Sequence, residues 1–263
     1  MASEILRARF YERLSRAEVQ LDPALPGSEN MRRDVALAEQ LIQSSSERIL
    51  IRFYCWQPWC ISLGANQFED DIDQDRARTD GIELVRRPTG GRAILHACEL
   101  TYALALRLQD GLTHAHVYRF WHEWLCQALS RILGTTELVY ARSQPDFPLL
   151  LQREPTRWLC FASSARYELH WRGRKLLGSA QRLYGDVLLQ HGSLLVDQGH
   201  ELLPYYLRAC PDPERIVQTL REKSATCREI AGYFLTAHYL ASKIMQELRQ
   251  LDGRTTDKSL QQQ

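Results

Sequence analysis

Apolar residues recur at two periods along this chain, and the switches between them outline the elements. Over residues 29–43, Val35, Leu37, Ala38, Leu41 and Ile42 return at helical spacing behind Ser28, which predicts a helix with Ser28 as its N-cap. Strands are predicted over 49–54 and 60–63. Gln57-Pro58 lies between them, where proline fits a connection better than a central strand. A short charged helix over 72–79, closed by Gly81, precedes a strand over 82–85. Strict alternation follows: Leu100, Tyr102, Leu104, Leu106 and Leu108 share one side, and Glu99, Thr101, Ala103, Ala105 and Arg107 the other. This predicts a strand with one buried face. Residues 115–133 read as a long amphipathic helix with Tyr118, Trp121, Leu125, Leu129 and Ile132 inward, ended by Gly134.

Beyond residue 137 the pattern shortens to strands and turns. Strands over 166–171 and 175–179 flank Arg172-Gly173-Arg174, a hairpin signal, and a further extended stretch over 187–196 is interrupted at Gly192. From His200 the chain reads as helix, with Thr226-Cys227-Arg228-Glu229 spaced as a capping box and a last helix over 236–251. The polar residues 252–263 read as a disordered tail. Strands interspersed with helices, without regular βαβ alternation, give an α+β class.

Charge and composition narrow the function. The 33 Lys and Arg nearly balance the 32 Asp and Glu, which offers no case for nucleic acid or an anionic membrane as partner. The apolar runs fall far short of the ~20 residues that span a bilayer, and the charged N-terminus does not read as a secretory signal. The 7 cysteines include no CxxC pair, so no zinc site is expected, and reduced thiols in a cytoplasmic protein fit best.

Three segments could carry chemistry. In Arg86-Arg87-Pro88-Thr89-Gly90-Gly91-Arg92, the glycines let a ligand approach backbone N–H groups, and the arginines offer forked donors; by composition alone this is a surface turn. Gly178-Ser179-Ala180, after Lys175, leaves little to pack inside a strand, so either a ligand or a bulge sits there. Cys160, between Leu159 and Phe161, reads on its own as an inert buried thiol. His191 is either an active-site group or a satisfied core histidine. No Ser-His-Asp or nucleophile-elbow spacing is present.

Taken in order, several stretches resemble the lipoate–protein ligase, biotin ligase and octanoyltransferase superfamily. They are Arg86 through His96, then Glu99-Leu100-Thr101-Tyr102, Cys160-Phe161, Gly173-Arg174-Lys175 with Leu176-Leu177-Gly178-Ser179-Ala180-Gln181-Arg182, and Leu189-Gln190-His191-Gly192-Ser193. Arg52 through Pro58 and Ile61-Ser62-Leu63-Gly64 also fit. Within the superfamily the chain is most similar to protein N-octanoyltransferases of the LipM type. Ala97 stands where that family usually has Asp, and the proline expected after Cys160 is absent.

The resemblance implies a mixed, largely antiparallel sheet with surrounding helices. It implies a single domain over 1–263, with a catalytic core over 29–200 and a helical extension over 201–251. It makes Cys160 the nucleophile and Lys175 its partner, with Arg87, Gly90, Gly91, His96, Gly178, Ser179, Ala180 and His191 around the substrate. The implied reaction moves an octanoyl group from acyl carrier protein, through a cysteine thioester, to a lysine of the glycine-cleavage H protein or of a 2-oxoacid dehydrogenase lipoyl domain, with no metal, ATP or other cofactor. The competing readings are an ATP-dependent lipoate ligase and a non-catalytic member that binds the acyl group or its carrier.

Overall fold

The computed structural model describes residues 2–140 and 168–251; Cys160 and the 252–263 tail lie outside them. The first helix, α1 (Ala2–Ser15), leads into an edge strand β1 (Glu18–Leu21), then α2 (Gly27–Ile42), β2 (Leu50–Tyr54) and β3 (Cys60–Leu63). Helix α3 (Gln74–Thr79), β4 (Glu83–Arg86), β5 (Ile94–His96), the long β6 (Glu99–Arg107) and helix α4 (His114–Leu133) follow. Then come β7 (Leu138–Tyr140), β8 (Leu169–Trp171), β9 (Arg174–Tyr184) and β10 (Val187–Leu195). The chain closes on a 3-10 turn (His200–Tyr206), α5 (Pro213–Lys223), α6 (Cys227–Ala231) and α7 (Ala237–Arg249).

Seven strands pair in the order β1-β2-β6-β10-β9-β8-β7, and β4-β3-β5 form a second sheet. Among the described strand pairs only β1–β2 and β3–β4 are parallel, so the sheets are mixed and largely antiparallel, as expected. Among the described residues no helix is long and apolar enough to cross a membrane.

The central strand β6 departs from the one-faced pattern: every residue from Glu99 to Leu106 is buried. Leu100, Tyr102, Leu104 and Leu106 enter the largest core with Phe10 and Leu14 of α1, Trp121 and Leu125 of α4, and Leu240 and Ile244 of α7. Ala103 and Ala105, on the other side, meet Leu37, Ala38 and Leu41 of α2. Small side chains on that side let α2 come close, which is why the alternation looked like a solvent-facing row. Strand β10 runs unbroken through Gly192. A Cβ there would lie 2.3 Å from Ser179 Oγ and 2.6 Å from Tyr102 Cε1, so the glycine makes room for neighbouring side chains.

Other expectations shift at element ends. Helix α2 begins one residue before Ser28, with Pro26 in the cap position and no side-chain cap. Helix α4 is capped by Thr113, whose hydroxyl accepts from His116 N, and closes on Gly134 at φ 64°. The hairpin turn places Arg172 at φ 48° and Gly173 at φ 77°. The pattern gave no sign of α1, because its apolar residues do not keep to one stripe: Phe10 and Leu14 are buried while Ile5 is exposed.

Under α2 lies a fully buried ion pair. Arg52 on β2 donates to Asp34 Oδ1 at 2.7 Å, to Asn30 O and Oδ1 at 2.9 Å each, and to Asp22 Oδ2 at 2.9 Å. Its guanidinium also stacks on Tyr54 at 3.8 Å. Removing one partner of such a pair strands the other charge in the interior. Arg52→Met should therefore cost about 3–5 kcal/mol of stability, measured as a lowered urea midpoint. A variant with the wild-type midpoint would show that the pair contributes nothing to stability.

Candidate active site

Between β6, β9, β10 and the turn after β4 lies a cavity of about 400 Å³, at the small end of the range of ligand pockets. Its lining contains every described residue singled out from the sequence: Arg87, Gly90, Gly91, His96, Lys175, Gly178, Ser179, Ala180 and His191. It also contains Trp56 and Ser62, which lie in motif stretches that fit the family but were not named as site residues, and Glu168, which the sequence reading did not single out. Cys160 is outside the described residues.

The turn after β4 is held by its own arginine. Arg87 donates to Ser62 O at 2.9 Å and Ser62 Oγ at 3.1 Å, to Gly90 O at 3.3 and 3.0 Å, and to Arg92 O at 2.7 Å. These five contacts match the five N–H groups of a guanidinium. Arg87 is thus an internal strut of the cavity wall, where the sequence had pictured a donor offered to a ligand. Gly91 has φ 101°, and a Cβ on Gly64 would lie 2.1 Å from Gly91 O; the turn needs glycine at both places.

Lys175 is almost fully buried, and its ammonium donates to Glu168 Oε1 at 2.9 Å. A Cβ on Gly178 would stand 3.0 Å from Lys175 Cε and 3.1 Å from Nζ. The space that glycine leaves is therefore taken by the lysine, where the sequence reading gave it to an acyl chain. The small side chain of Ala180 does face the cavity.

Three histidines around the cavity each meet a hydroxyl, and their partners fix the direction of each hydrogen bond. His96 donates from Nδ1 to Glu99 Oε1 at 2.8 Å and accepts at Nε2 from Ser62 Oγ at 2.7 Å. His191 donates from Nδ1 to Asp34 Oδ2 at 3.0 Å and accepts from Thr89 Oγ1 at 2.6 Å. His122 on α4 donates from Nδ1 to Tyr118 O at 2.7 Å, since a carbonyl can only accept, and its Nε2 accepts from Ser179 Oγ at 2.8 Å. With its proton directed to His122, Ser179 accepts from Tyr102, whose hydroxyl accepts from Gln190. His191 is satisfied as the core reading expects, and it also lines the cavity.

Burial dominates the titration of these groups. It pushes His122 down to about 3, with the Lys175 charge acting in the same direction. Burial also lowers His170, again helped by Lys175. For Glu99, burial acts to raise the carboxyl, but the charge of His96 and hydrogen bonds from His96 and Thr101 outweigh it and hold it below its ordinary value. Of the six described cysteines, Cys60, Cys126 and Cys227 are buried, and burial raises each thiol.

Compared with known proteins, residues 26–249 match the family model described as lipoyl protein ligase A/B catalytic domain. The octanoyltransferase LipM of Symbiobacterium thermophilum is 36% identical over 218 residues, 79% of this chain and 76% of its own. The octanoyltransferase LipM of Geobacillus kaustophilus is 33% identical over 213 residues, covering 77% and 76%. Among solved structures, a lipoate-protein ligase A bound with ATP superposes with a TM-score of 0.63 at 20% identity, covering 91% of this chain and 85% of that one. The bipartite lipoate protein ligase of Thermoplasma acidophilum gives a TM-score of 0.62 at 17% identity, covering 90% and 84%. At such identities the structures establish the shared fold.

The depressed His122 has a consequence for stability. Its ordinary value is 6.5, which applies to the unfolded chain, and its folded value is about 3. Between these limits the unfolded state binds a proton that the folded state does not, so stability falls as the pH is lowered from 6.5 toward 3. His122→Gln removes that titration and should flatten the decline in urea midpoint between pH 7 and pH 5. An unchanged slope in the variant would assign the acid sensitivity to other groups.

Proposed function

Because the chain belongs to the lipoyl protein ligase A/B catalytic-domain family, we propose that it is an octanoyltransferase of protein lipoylation. Its donor is octanoyl-acyl carrier protein. Its nucleophile is Cys160, and its acceptor is a lysine of the glycine-cleavage H protein or of a 2-oxoacid dehydrogenase lipoyl domain. The observation that carries this reading is the convergence of Lys175, Gly90, Gly91, Ser179, Ala180 and His191 on one small cavity, in a chain one-third identical to octanoyltransferases.

The chemistry runs in two transfers. In the first, the Cys160 thiolate attacks the carbonyl carbon of the donor thioester; a new C–S bond forms, the donor's C–S bond breaks with its electron pair going to sulfur, and the carrier leaves as its thiolate, which takes a proton from solvent. In the second, the acceptor amine attacks the enzyme thioester, the amide C–N bond forms, and Cys160 is released. A free thiol titrates near about 8.5, so only a few per cent is thiolate at neutral pH. A nearby ammonium favours the thiolate, and that is the part given to Lys175. Glu168 shares the Lys175 charge at 2.9 Å, which moderates the field and fixes where Nζ stands. Backbone N–H groups at Gly90 and Gly91 are the candidate donors to the oxyanion. The donor is already activated as a thioester, so adenylation has no part in this scheme.

Two measurements test the reading. Incubated with octanoyl-carrier protein and no nucleotide, the enzyme should gain an octanoyl mass on Cys160 that hydroxylamine removes and Cys160→Ala abolishes. It should then modify apo acceptor protein, whereas free octanoate with Mg-ATP gives no product. Modification only in the ATP mixture would instead establish a ligase. Lys175→Ala should move the pH midpoint of Cys160 alkylation by iodoacetamide upward, by roughly 1–3 units; an unmoved midpoint would remove the thiolate-stabilising role.

A further inference from the structure

The second transfer needs a base that the scheme above does not supply. The acceptor lysine has an ordinary pKa of about 10.4 and is almost entirely ammonium at neutral pH. It has no free electron pair for the thioester until it loses a proton.

Of the three histidine–hydroxyl pairs around the cavity, one is built to take that proton. In Ser179–His122 the far ring nitrogen is held by a neutral carbonyl, and burial opposes the imidazolium. In Thr89–His191 the supporting carboxylate, Asp34, is already engaged by Arg52. In Ser62–His96 the supporting carboxylate is Glu99, and among the described residues no arginine or lysine forms an ion pair with it. Glu99 Oε1 lies 2.8 Å from His96 Nδ1, where a carboxylate would support an imidazolium once one forms.

The surroundings give this pair one direction. Trp56 Nε1 donates to Thr101 Oγ1 at 2.7 Å, and the Thr101 hydroxyl donates to Glu99 Oε1 at 2.5 Å. Trp56 also stacks on the His96 ring at 3.9 Å and 11°, fixing its plane. At the other end Arg87 donates to Ser62 Oγ at 3.1 Å. Guanidinium can only donate and carboxylate can only accept, so with a neutral His96 carrying its proton on Nδ1 toward Glu99, the Ser62 proton is directed to His96 Nε2. Ser62, His96, Trp56 and Thr101 all line the cavity. Other titratable groups around Glu99 and His96 are Arg87 after β4, His200 in the 3-10 turn, Tyr54 on β2, Cys98 beside Glu99, and Cys55 and Cys60 flanking the β2–β3 connection.

Resting on the acyl-transfer reading, we propose that Ser62 and His96, oriented by Glu99, form the proton relay that deprotonates the acceptor lysine. The ammonium gives one proton to Ser62 Oγ as the Ser62 hydroxyl proton passes to His96 Nε2, and Glu99 holds the resulting imidazolium. The neutral amine then forms the C–N bond to the acyl carbon. The C–S bond breaks with its electron pair going to sulfur, and the second amine proton ends on that sulfur as the thiol. His96 returns its proton to solvent. Ser62 and His96 act on the reacting amine; Glu99 is a positioning residue.

The test isolates the second transfer. Octanoyl-enzyme is prepared with octanoyl-carrier protein and desalted, and octanoyl transfer to an apo lipoyl domain is followed by intact mass in single turnovers from pH 6.5 to 10. Parallel samples receive hydroxylamine, an amine that is unprotonated at neutral pH and needs no base. Ser62→Ala and His96→Asn should slow transfer to the lipoyl domain at pH 7 by about a hundredfold. The deficit should shrink as the pH rises and the lysine deprotonates unaided, while hydroxylamine release changes far less. Glu99→Gln should behave like His96→Asn. Equal losses for hydroxylamine and lysine, or a deficit independent of pH, would overturn the relay and leave a structural role. Ser62→Ala loses a single oxygen and keeps the test available if His96→Asn does not fold. Wild-type enzyme that never becomes acylated would overturn the acyl-transfer reading and the relay with it, and this is seen before any acceptor is added.

Discussion

The buried Arg52 guanidinium is the constraint from which the cavity follows. It ties β2 to α2 by bonding Asp34 and Asn30. Asp34 in turn spends its second oxygen on Tyr54 and His191, two residues of the cavity wall. His191 then accepts from Thr89, in the turn that carries Gly90 and Gly91. One charge in the interior therefore sets the position of a helix, a strand residue and a loop together. Without it, Asp34 would be an uncompensated carboxylate in an apolar layer, a worse state than an apolar core.

Much of this was legible in the sequence, for identifiable reasons. The strands on either side of Gln57-Pro58, the hairpin at Arg172-Gly173 and helix α4 carry strong local signals, and each forms near its expected place. The ordered motifs picked out residues that, wherever described, share a single cavity. What the sequence hid is what arises only across distance. Asp34 and Glu168 look like ordinary surface acids until the fold brings them to Arg52 and Lys175. Ser62 sits 34 residues before the histidine it serves, and no spacing rule links the two. The inward face of Ala103 and Ala105 was hidden differently: small residues mark close packing as readily as exposure, and only the position of α2 separates them.

The glycines divide the same way. Gly91, at φ 101°, stands where the backbone needs glycine, which composition can signal. Gly178 and Gly192 stand where another residue's side chain needs room: Lys175 over the first, Ser179 and Tyr102 over the second. Their function belongs to their neighbours, so the run of small residues was visible in the strand while its occupant was not. The lysine, its carboxylate partner and the glycine beneath them form one packed unit on the cavity wall.

Arg87 ties the turn it belongs to onto Ser62 of β3 through hydrogen bonds within the protein, so this part of the wall is held without a ligand. Preorganisation of this kind moves the entropy cost of ordering out of the binding step. An apolar chain entering a rigid slot then gains about 0.8 kcal/mol for each methylene it buries, close to fourfold in affinity.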